Sequence, residues 1–447
     1  MDLPWDYSTW KPTAGVFEWL GDWKKPSKKG FAKLKLQLAI PARNVRDHPH
    51  EPRFRFERGE TLYRLGYPEL AAGDFEKTLM LIEYGLDFSS ELGENVRVLG
   101  IQESVKKHEL SPEVTQQNVS DLLNNLRKKT YMEYINALYK IRAVPDILTL
   151  CKEALKIYPR DPEIRDLLEE GEEAYSEHAA EARPSLAAQG MSLDQYAWGM
   201  VATKSYPWTP PALRTRDVET IASANQILDS CSDCLEIRHS SLGSRNGTTQ
   251  SFGMFAKRDI KKNEKILDSP SATGTSNKPA TGQYCYNCAF TLKKNQVFTF
   301  TCCPTMKFCS EVCLEIANGN YHKALCGKDF SELYQAASSQ TFSESSKARD
   351  NLVFLRLIAI SLQAGTPPLM TPPIAWLGAN YEAQSPIPWS RGANIIGPLR
   401  TLQILGVSIF AEDYDIWVLQ TMWYVALHTS QENADVKSEK ESCPKQL

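Results

Sequence analysis

The sequence predicts a multidomain α+β chain, helical at first, β-rich near its middle, and helical again beyond a small zinc-bound insertion. Three observations predict it. Apolar and small residues recur at helical spacing from Glu51 to about Pro184. Segments 251–260 and 263–267 follow with the outline of a hairpin. Eight candidate metal ligands then crowd between Cys285 and Cys326.

Composition sets the outer bounds. At 447 residues the chain has length for about three domains. It is 42% hydrophobic and 23% charged, an ordinary mixture with enough apolar material for real cores. A formal charge of −3 leaves no global basic surface, so nucleic acid is not expected as the main partner. The longest apolar stretches, Leu352–Ile360 and Leu402–Phe410, fall far short of the roughly 20 residues that span a bilayer, so no membrane role is expected. Met1 to Asp6 lacks the basic stretch and apolar core of a signal peptide. A reducing location follows as the expectation: cytoplasm, nucleus or both.

Residues 1–50 carry Trp5, Trp10, Trp19 and Trp23, aromatic enough to pack onto something the sequence does not name. From 51 to 184 the chain reads as helical hairpins. Gly59, Leu62, Gly66, Ala71, Phe75 and Leu79 alternate small and large side chains, and Leu138, Ala154, Leu155 and Pro159 repeat the pattern over about 128–161. These positions resemble tetratricopeptide repeats, helix hairpins of about 34 residues whose small residues allow close packing. Asp161-Pro162-Glu163 supplies an N-cap, a proline at the first helical position and an acid in the first turn, and Ser111-Pro112-Glu113 gives the same start signal. The resemblance implies either a concave peptide-binding surface or a scaffold packed on its own chain, and in both cases protein interaction.

Residues 185–238 read as a connector. Tyr206-Pro207-Trp208-Thr209-Pro210-Pro211 cannot be helical, a helix is expected from about Asp217 to Leu228, and Cys231-x2-Cys234 reads as structural for want of a second ligand pair.

The cysteine segment runs Cys285-x2-Cys288, thirteen residues, Cys302-Cys303, five residues, Cys309-x3-Cys313, eight residues, His322-x3-Cys326. Seven of the eleven cysteines and one of the seven histidines lie here. Disulfides need an oxidising compartment, and buried free thiols would be scattered rather than paired. Eight ligands divide into two tetrahedral zinc sites, because structural zinc takes four thiolate or imidazole ligands and leaves no open position. With Phe308-Cys309-Ser310-Glu311 and Tyr321-His322-Lys323, the run 283–328 resembles a MYND-type zinc finger. That resemblance implies interleaved ligands: Cys285, Cys288, Cys309 and Cys313 on one zinc, and Cys302, Cys303, His322 and Cys326 on the other. The family's second pair is usually Cys-x-x-Cys, which would put a ligand at position 300, yet Phe300 stands there. Adjacent cysteines reach one metal only with an unusual backbone between them, so Cys303 is the firmer ligand of that pair.

Residues 239–282, with Ser251-Phe252-Gly253-Met254-Phe255 and Asn263-Glu264-Lys265-Ile266-Leu267, resemble the opening strands of a SET domain. A finger inserted shortly after such an opening is the layout of the SET-and-MYND protein-lysine methyltransferases. The resemblance implies that Gly253 and Met254 lie against S-adenosylmethionine, glycine permitting the close approach. It also implies that 329–430 is the helical insert of the SET domain, with a buried helix at Asn351–Leu362 and another near Tyr414–Leu427, before a polar tail at 431–447 expected to be disordered.

The Asn-His-x-Cys segment of the catalytic half of a SET domain does not occur in the sequence. Methyl transfer depends on positioning, so half a site is expected to fail rather than merely slow down. The expectation is a SET-and-MYND relative holding two zinc ions, binding protein or peptide partners through its finger and helices, and catalytically incompetent as it stands. An active protein-lysine methyltransferase and a purely non-catalytic zinc-finger adaptor are the alternatives.

Overall fold

The computed structural model describes residues 5–8, 10–14, 23–106, 116–193, 196, 198–202, 205–210, 213, 218–240, 251–267, 282–293, 297–337, 342–371, 374–376 and 386–429. Helices dominate. They run α1 (Lys28–Asp47), α2 (Pro52–Arg64), α3 (Pro68–Leu86), α4 (Glu91–Lys106), α5 (Gln116–Lys140), α6 (Val144–Ile157) and α7 (Pro162–Ala188). Then come α8 (Val218–Asp229), α9 (Glu311–Asn320), α10 (His322–Leu325), α11 (Ser331–Ala337), α12 (Phe342–Ala364), α13 (Gly397–Leu405) and α14 (Ile416–Thr429). Among the described residues the strands form antiparallel pairs: β1 (Gly199–Ala202) with β6 (Pro386–Trp389), β2 (Leu235–Ser240) with β3 (Ser251–Ala256), and β4 (Phe298–Thr299) with β5 (Lys307–Phe308). The α+β expectation holds at this level. None of the described helices is long and apolar enough to cross a membrane.

Two compact units divide the chain. The first comprises Met1–Trp208, Ser385–Leu399 and Ser408–Leu419; the second comprises Thr209–Gln384, Arg400–Val407 and Gln420–Leu447. Residues 329–430, read from sequence as one helical insert, are thus shared between them.

In the first unit successive helices pack as hairpins, α2 on α3, α5 on α6 and α6 on α7. Local chemistry sets their starts. Glu51 accepts from the Arg53 amide with Pro52 in the first turn, and Asp161 accepts from the Ile164 amide with Pro162 in the first turn. Proline fits there because its missing N–H belongs to the helix end's unbonded donors. Gly59 lets α2 and α3 close together, since a Cβ at that position would lie 2.7 Å from the Phe75 ring. Trp5, Trp10 and Trp23 each pack against another aromatic ring. Trp10 packs on Phe31 with ring centroids 4.8 Å apart and donates its indole N–H to the Leu65 carbonyl at 3.1 Å. Trp5 meets Phe31 and Trp208 edge-on. Trp19 and Ser111-Pro112-Glu113 lie outside the described residues.

Charged side chains bury the returning segments in this unit. Arg58 forks onto Asp74 and Asp415, with four nitrogen–oxygen distances from 2.6 to 2.9 Å. Arg391 reaches Glu76 at 2.9 Å and Glu153 at 3.0 Å, and its amide donates to Asp146. Burial, with the nearby Arg55 charge, lowers the Lys77 ammonium to about 7, and the group donates to the Tyr414 carbonyl.

The second unit contains the β2–β3 pair, the cysteine segment and α12. The hairpin differs from the sequence expectation. Ser251–Ala256 is a strand, but its partner is Leu235–Ser240, which precedes it, and 263–267 is not a strand. Asn263 takes a positive φ of 64°, the Glu264 carboxylate accepts from the Lys261 amide, and Arg258 pairs with Glu264 at 2.6 Å. Those bonds fold 258–264 into a turn. The predicted helices at 217–228, 351–362 and 414–427 appear as α8, within α12 and as α14.

Candidate metal centre

Each ligand pair is set by a local backbone device. Between Cys285 and Cys288 the chain makes a tight knuckle: the Ala289 amide donates to the Cys285 carbonyl at 3.0 Å, and Ala289 takes the left-handed conformation at φ 60°. The β4–β5 hairpin carries Cys302 and Cys303 in its connection and delivers Cys309 at its end. Ser310 then caps α9, accepting from the Cys313 amide at 3.2 Å. Cys309 and Cys313 therefore stand on either side of the start of α9, and the helix end's partial positive charge favours a thiolate at Cys313 in its first turn. His322 opens α10 and Cys326 directly follows its end, one turn on, closed by the Cys326 amide donating to the His322 carbonyl at 2.8 Å.

These devices bring all eight predicted ligands together as two groups of four. Cys285, Cys288, Cys309 and Cys313 form one; Cys302, Cys303, His322 and Cys326 form the other. Within each group the ligand atoms lie within 4.8 Å of one another. Cys288 and Cys309 sulfurs are 3.5 Å apart, Cys309 and Cys313 3.7 Å, and Cys303 and Cys326 3.7 Å. A tetrahedron with zinc–sulfur bonds of about 2.3 Å spaces its sulfurs about 3.8 Å apart, so the donors already stand at metal-binding separation. Both groups could hold a metal ion, and their donor chemistry and spacing suit two zinc ions.

The crowded thiols of the first group split in their acidity, Cys285 and Cys313 being held down by their neighbours while Cys288 and Cys309 are pushed up. Contacts with Cys288 and then Cys309 pull the Cys285 thiol down to about 6. The Cys309 amide also donates toward the Cys285 sulfur at 3.4 Å. Burial lowers the His322 imidazole, favouring the neutral form that ligates metal.

The structure accounts for the adjacent cysteines. Cys302 Sγ lies 3.2 Å from His322 Nε2, so both members of the Cys302-Cys303 pair face the second group. Phe300 fills the place where the family pattern puts a ligand. Its ring stacks on His322 with centroids 3.7 Å apart and planes 15° from parallel. The residue that broke the pattern thus orients the imidazole.

Sequence reasoning missed Arg356. From α12 its guanidinium lies 3.6 Å from the centroid of the Tyr321 ring and 4.8 Å from that of Tyr286, and it donates to the Tyr286 carbonyl at 2.8 Å. Tyr286 sits inside the first ligand knuckle and Tyr321 directly precedes His322, so one cation braces both groups. Tyr286 and Tyr334 also share a hydroxyl hydrogen bond. Gln363 on the same helix bonds the Lys323 amide at 2.9 Å and the Asn318 carbonyl at 2.7 Å. No local spacing links an arginine on a distant helix to the ligands.

The remaining candidates stand apart from these groups. Cys234 is fully buried with Leu228 and Leu235, and neither it nor Cys231 belongs to a ligand group among the described residues. Gly253 pairs with Arg238 across the β2–β3 sheet, and Met254 beside it is 54% exposed. A Cβ at 253 would meet the Phe255 ring at 2.7 Å, so packing accounts for the glycine. Arg238 in turn covers the Phe255 ring at 4.0 Å. Comparison with protein-family models, with curated proteins and with solved structures finds no match to this chain.

Proposed function

We propose that this chain is a two-zinc MYND-type interaction protein related to the SET-and-MYND methyltransferases. The observation that carries this reading is the interleaving of the ligands, the first pair grouped with the third and the second with the fourth. Interleaving ties four separate turns into one body, so metal binding becomes folding energy for the whole segment. Such closed four-ligand sites leave no open position for a substrate, which makes the zinc structural rather than catalytic. The finger then acts by presenting a rigid surface to a protein or peptide, and the helical first unit is the second interaction element.

The family's chemistry is methyl transfer from S-adenosylmethionine to a lysine amine, with Gly253 and Met254 as the residues that would lie against the cofactor. Packing of Phe255 already explains Gly253 without a cofactor. We therefore favour a non-catalytic adaptor over an active protein-lysine methyltransferase. Metal analysis of the purified chain by mass spectrometry tests the first half: two zinc ions per chain are expected, and a metal-free chain that resists proteolysis within 285–326 would overturn it. Calorimetric titration with S-adenosylmethionine tests the second half. No saturable heat is expected, and micromolar binding would revive the enzyme.

A further inference from the structure

The first unit contains a cavity of about 300 Å³, where the end of α1, the start of α2 and the returning segment 408–417 meet. Its base is formed by Arg55 and Arg58, its rim by Arg43 and Arg46, and its apolar walls include Phe410 and Trp417. The two basal arginines are used differently. Arg58 spends its guanidinium on Asp74 and Asp415. Arg55, only 1% exposed, is hydrogen-bonded to carbonyl oxygens alone: Nε and Nη2 reach Pro49 at 3.3 and 3.2 Å, and Nη2 reaches Phe410 at 3.0 Å.

A guanidinium carries five N–H donors, and those three bonds leave the two on Nη1 without an acceptor among the described residues. Burying a cation this way is costly unless a counter-charge completes it. Burial lowers Arg55 only to about 10, so it remains charged at neutral pH. The Asp74 and Asp415 charges favour the Arg55 cation through space, but their carboxylates bond Arg58 and leave the Arg55 donors unmet. Glu412 lies at the exposed rim. The base of the cavity therefore presents the two Nη1 donors of a buried guanidinium, which suit the oxygens of an anion. The flanking Phe410 and Trp417 rings supply an apolar body site of the kind ligand pockets use.

We propose that this cavity binds a small organic oxyanion, a carboxylate or phosphate monoester with an apolar or aromatic body, through the spare donors of Arg55. The oxygens sit on Arg55 with Arg43 at the entrance, and the body lies against Phe410 and Trp417. The site belongs to the first unit and is independent of the metal centre.

Calorimetric titration of the full chain with phenyl phosphate, benzoate, inorganic phosphate and neutral benzamide tests this. Saturable binding of phenyl phosphate or benzoate with a Kd below about 1 mM is expected, and whichever is tighter identifies the head group. Inorganic phosphate should bind about tenfold or more weakly, lacking the body, and benzamide should not bind measurably. His50, which faces the cavity and whose ring meets Phe410 edge-on at 5.7 Å, provides a site-specific reporter. Its imidazole is depressed by burial and by the Arg55 charge, and a bound anion should raise it in an NMR titration. Arg55→Lys keeps the charge and loses the planar Nη1 donors, and should weaken binding about tenfold. Because Arg55 is buried, two further variants guard against misfolding: Arg43→Gln at the exposed rim should weaken binding severalfold, and Ala42→Phe should fill the cavity and abolish it. Either is made only in chains whose circular dichroism matches the parent. Absence of saturable binding, benzamide binding as tightly as benzoate, or full binding by the Ala42→Phe chain would each overturn the proposal.

Discussion

Replacing Asp415 with asparagine removes one of the two carboxylates that hold the buried Arg58 guanidinium. The side chains of Arg58, Asp74 and Asp415 are only 5%, 1% and 9% exposed, so the charges left behind gain little from water. Breaking a buried ion pair by removing one partner costs about 3–5 kcal/mol. A second route gives a similar size. Burial opposes ionisation of Asp415, but the Arg58 and then Lys77 charges outweigh it and hold the carboxyl at about 2 instead of 3.8. That difference corresponds to about 2.5 kcal/mol of stability at neutral pH. The expected loss for Asp415→Asn is therefore about 3 kcal/mol. The sign with pH follows from the lowered value: the contribution is complete above the unfolded value and drains away as pH falls toward 2. The gap between the parent and the variant should accordingly narrow by about 1 kcal/mol between pH 7 and pH 3. Urea unfolding, followed by the fluorescence of the buried Trp10 and Trp208, measures it. A loss below about 0.5 kcal/mol at pH 7, or a gap that does not change with pH, would refute the reasoning.

Other consequences are equally direct. Phe300→Ala removes the ring stacked on His322 and should weaken the second metal group about tenfold while leaving the first intact, read by competition with a zinc chelator. Arg356→Met should cost about 2 kcal/mol and speed hydrogen exchange at Tyr286 and Tyr321, because it loses a hydrogen bond and two ring contacts. Gly59→Ala gains up to about 1 kcal/mol of helix propensity but drives a methyl to 2.7 Å from Phe75, an overpacking cost of about 1–3 kcal/mol. Net destabilisation is expected, visible as a lower urea midpoint.

How much could be read in advance depended on how local each signal was. The ligand pairs were legible because each is fixed by one turn: a knuckle at Cys285, a Ser310 cap before Cys313, a helical turn from His322 to Cys326. Cap chemistry likewise announced the start of α7 at Asp161-Pro162. The β2–β3 pairing was not legible. The strand at 251–256 was expected from the SET resemblance, but its partner was sought after it, where Asn263 and the Arg258–Glu264 pair make a turn, and was found before it. Nothing in a strand's own alternation names its neighbour. Phe300 looked like a defect in a ligand pattern until the stacking geometry gave it a role.

The sequence by itself singled out the eight candidate ligands, their order along the chain and the helical hairpins, since spacing, caps and periodicity act over a few residues and need no distant partner. Only the tertiary structure decided that Ser385–Leu399 and Ser408–Leu419 complete the N-terminal unit. Arg58 and Asp415 are 357 residues apart, and Arg391 and Glu76 are 315 apart. Such pairs carry no local signature, because a buried charge chooses its partner by the desolvation it must offset, and that is set by the packed fold.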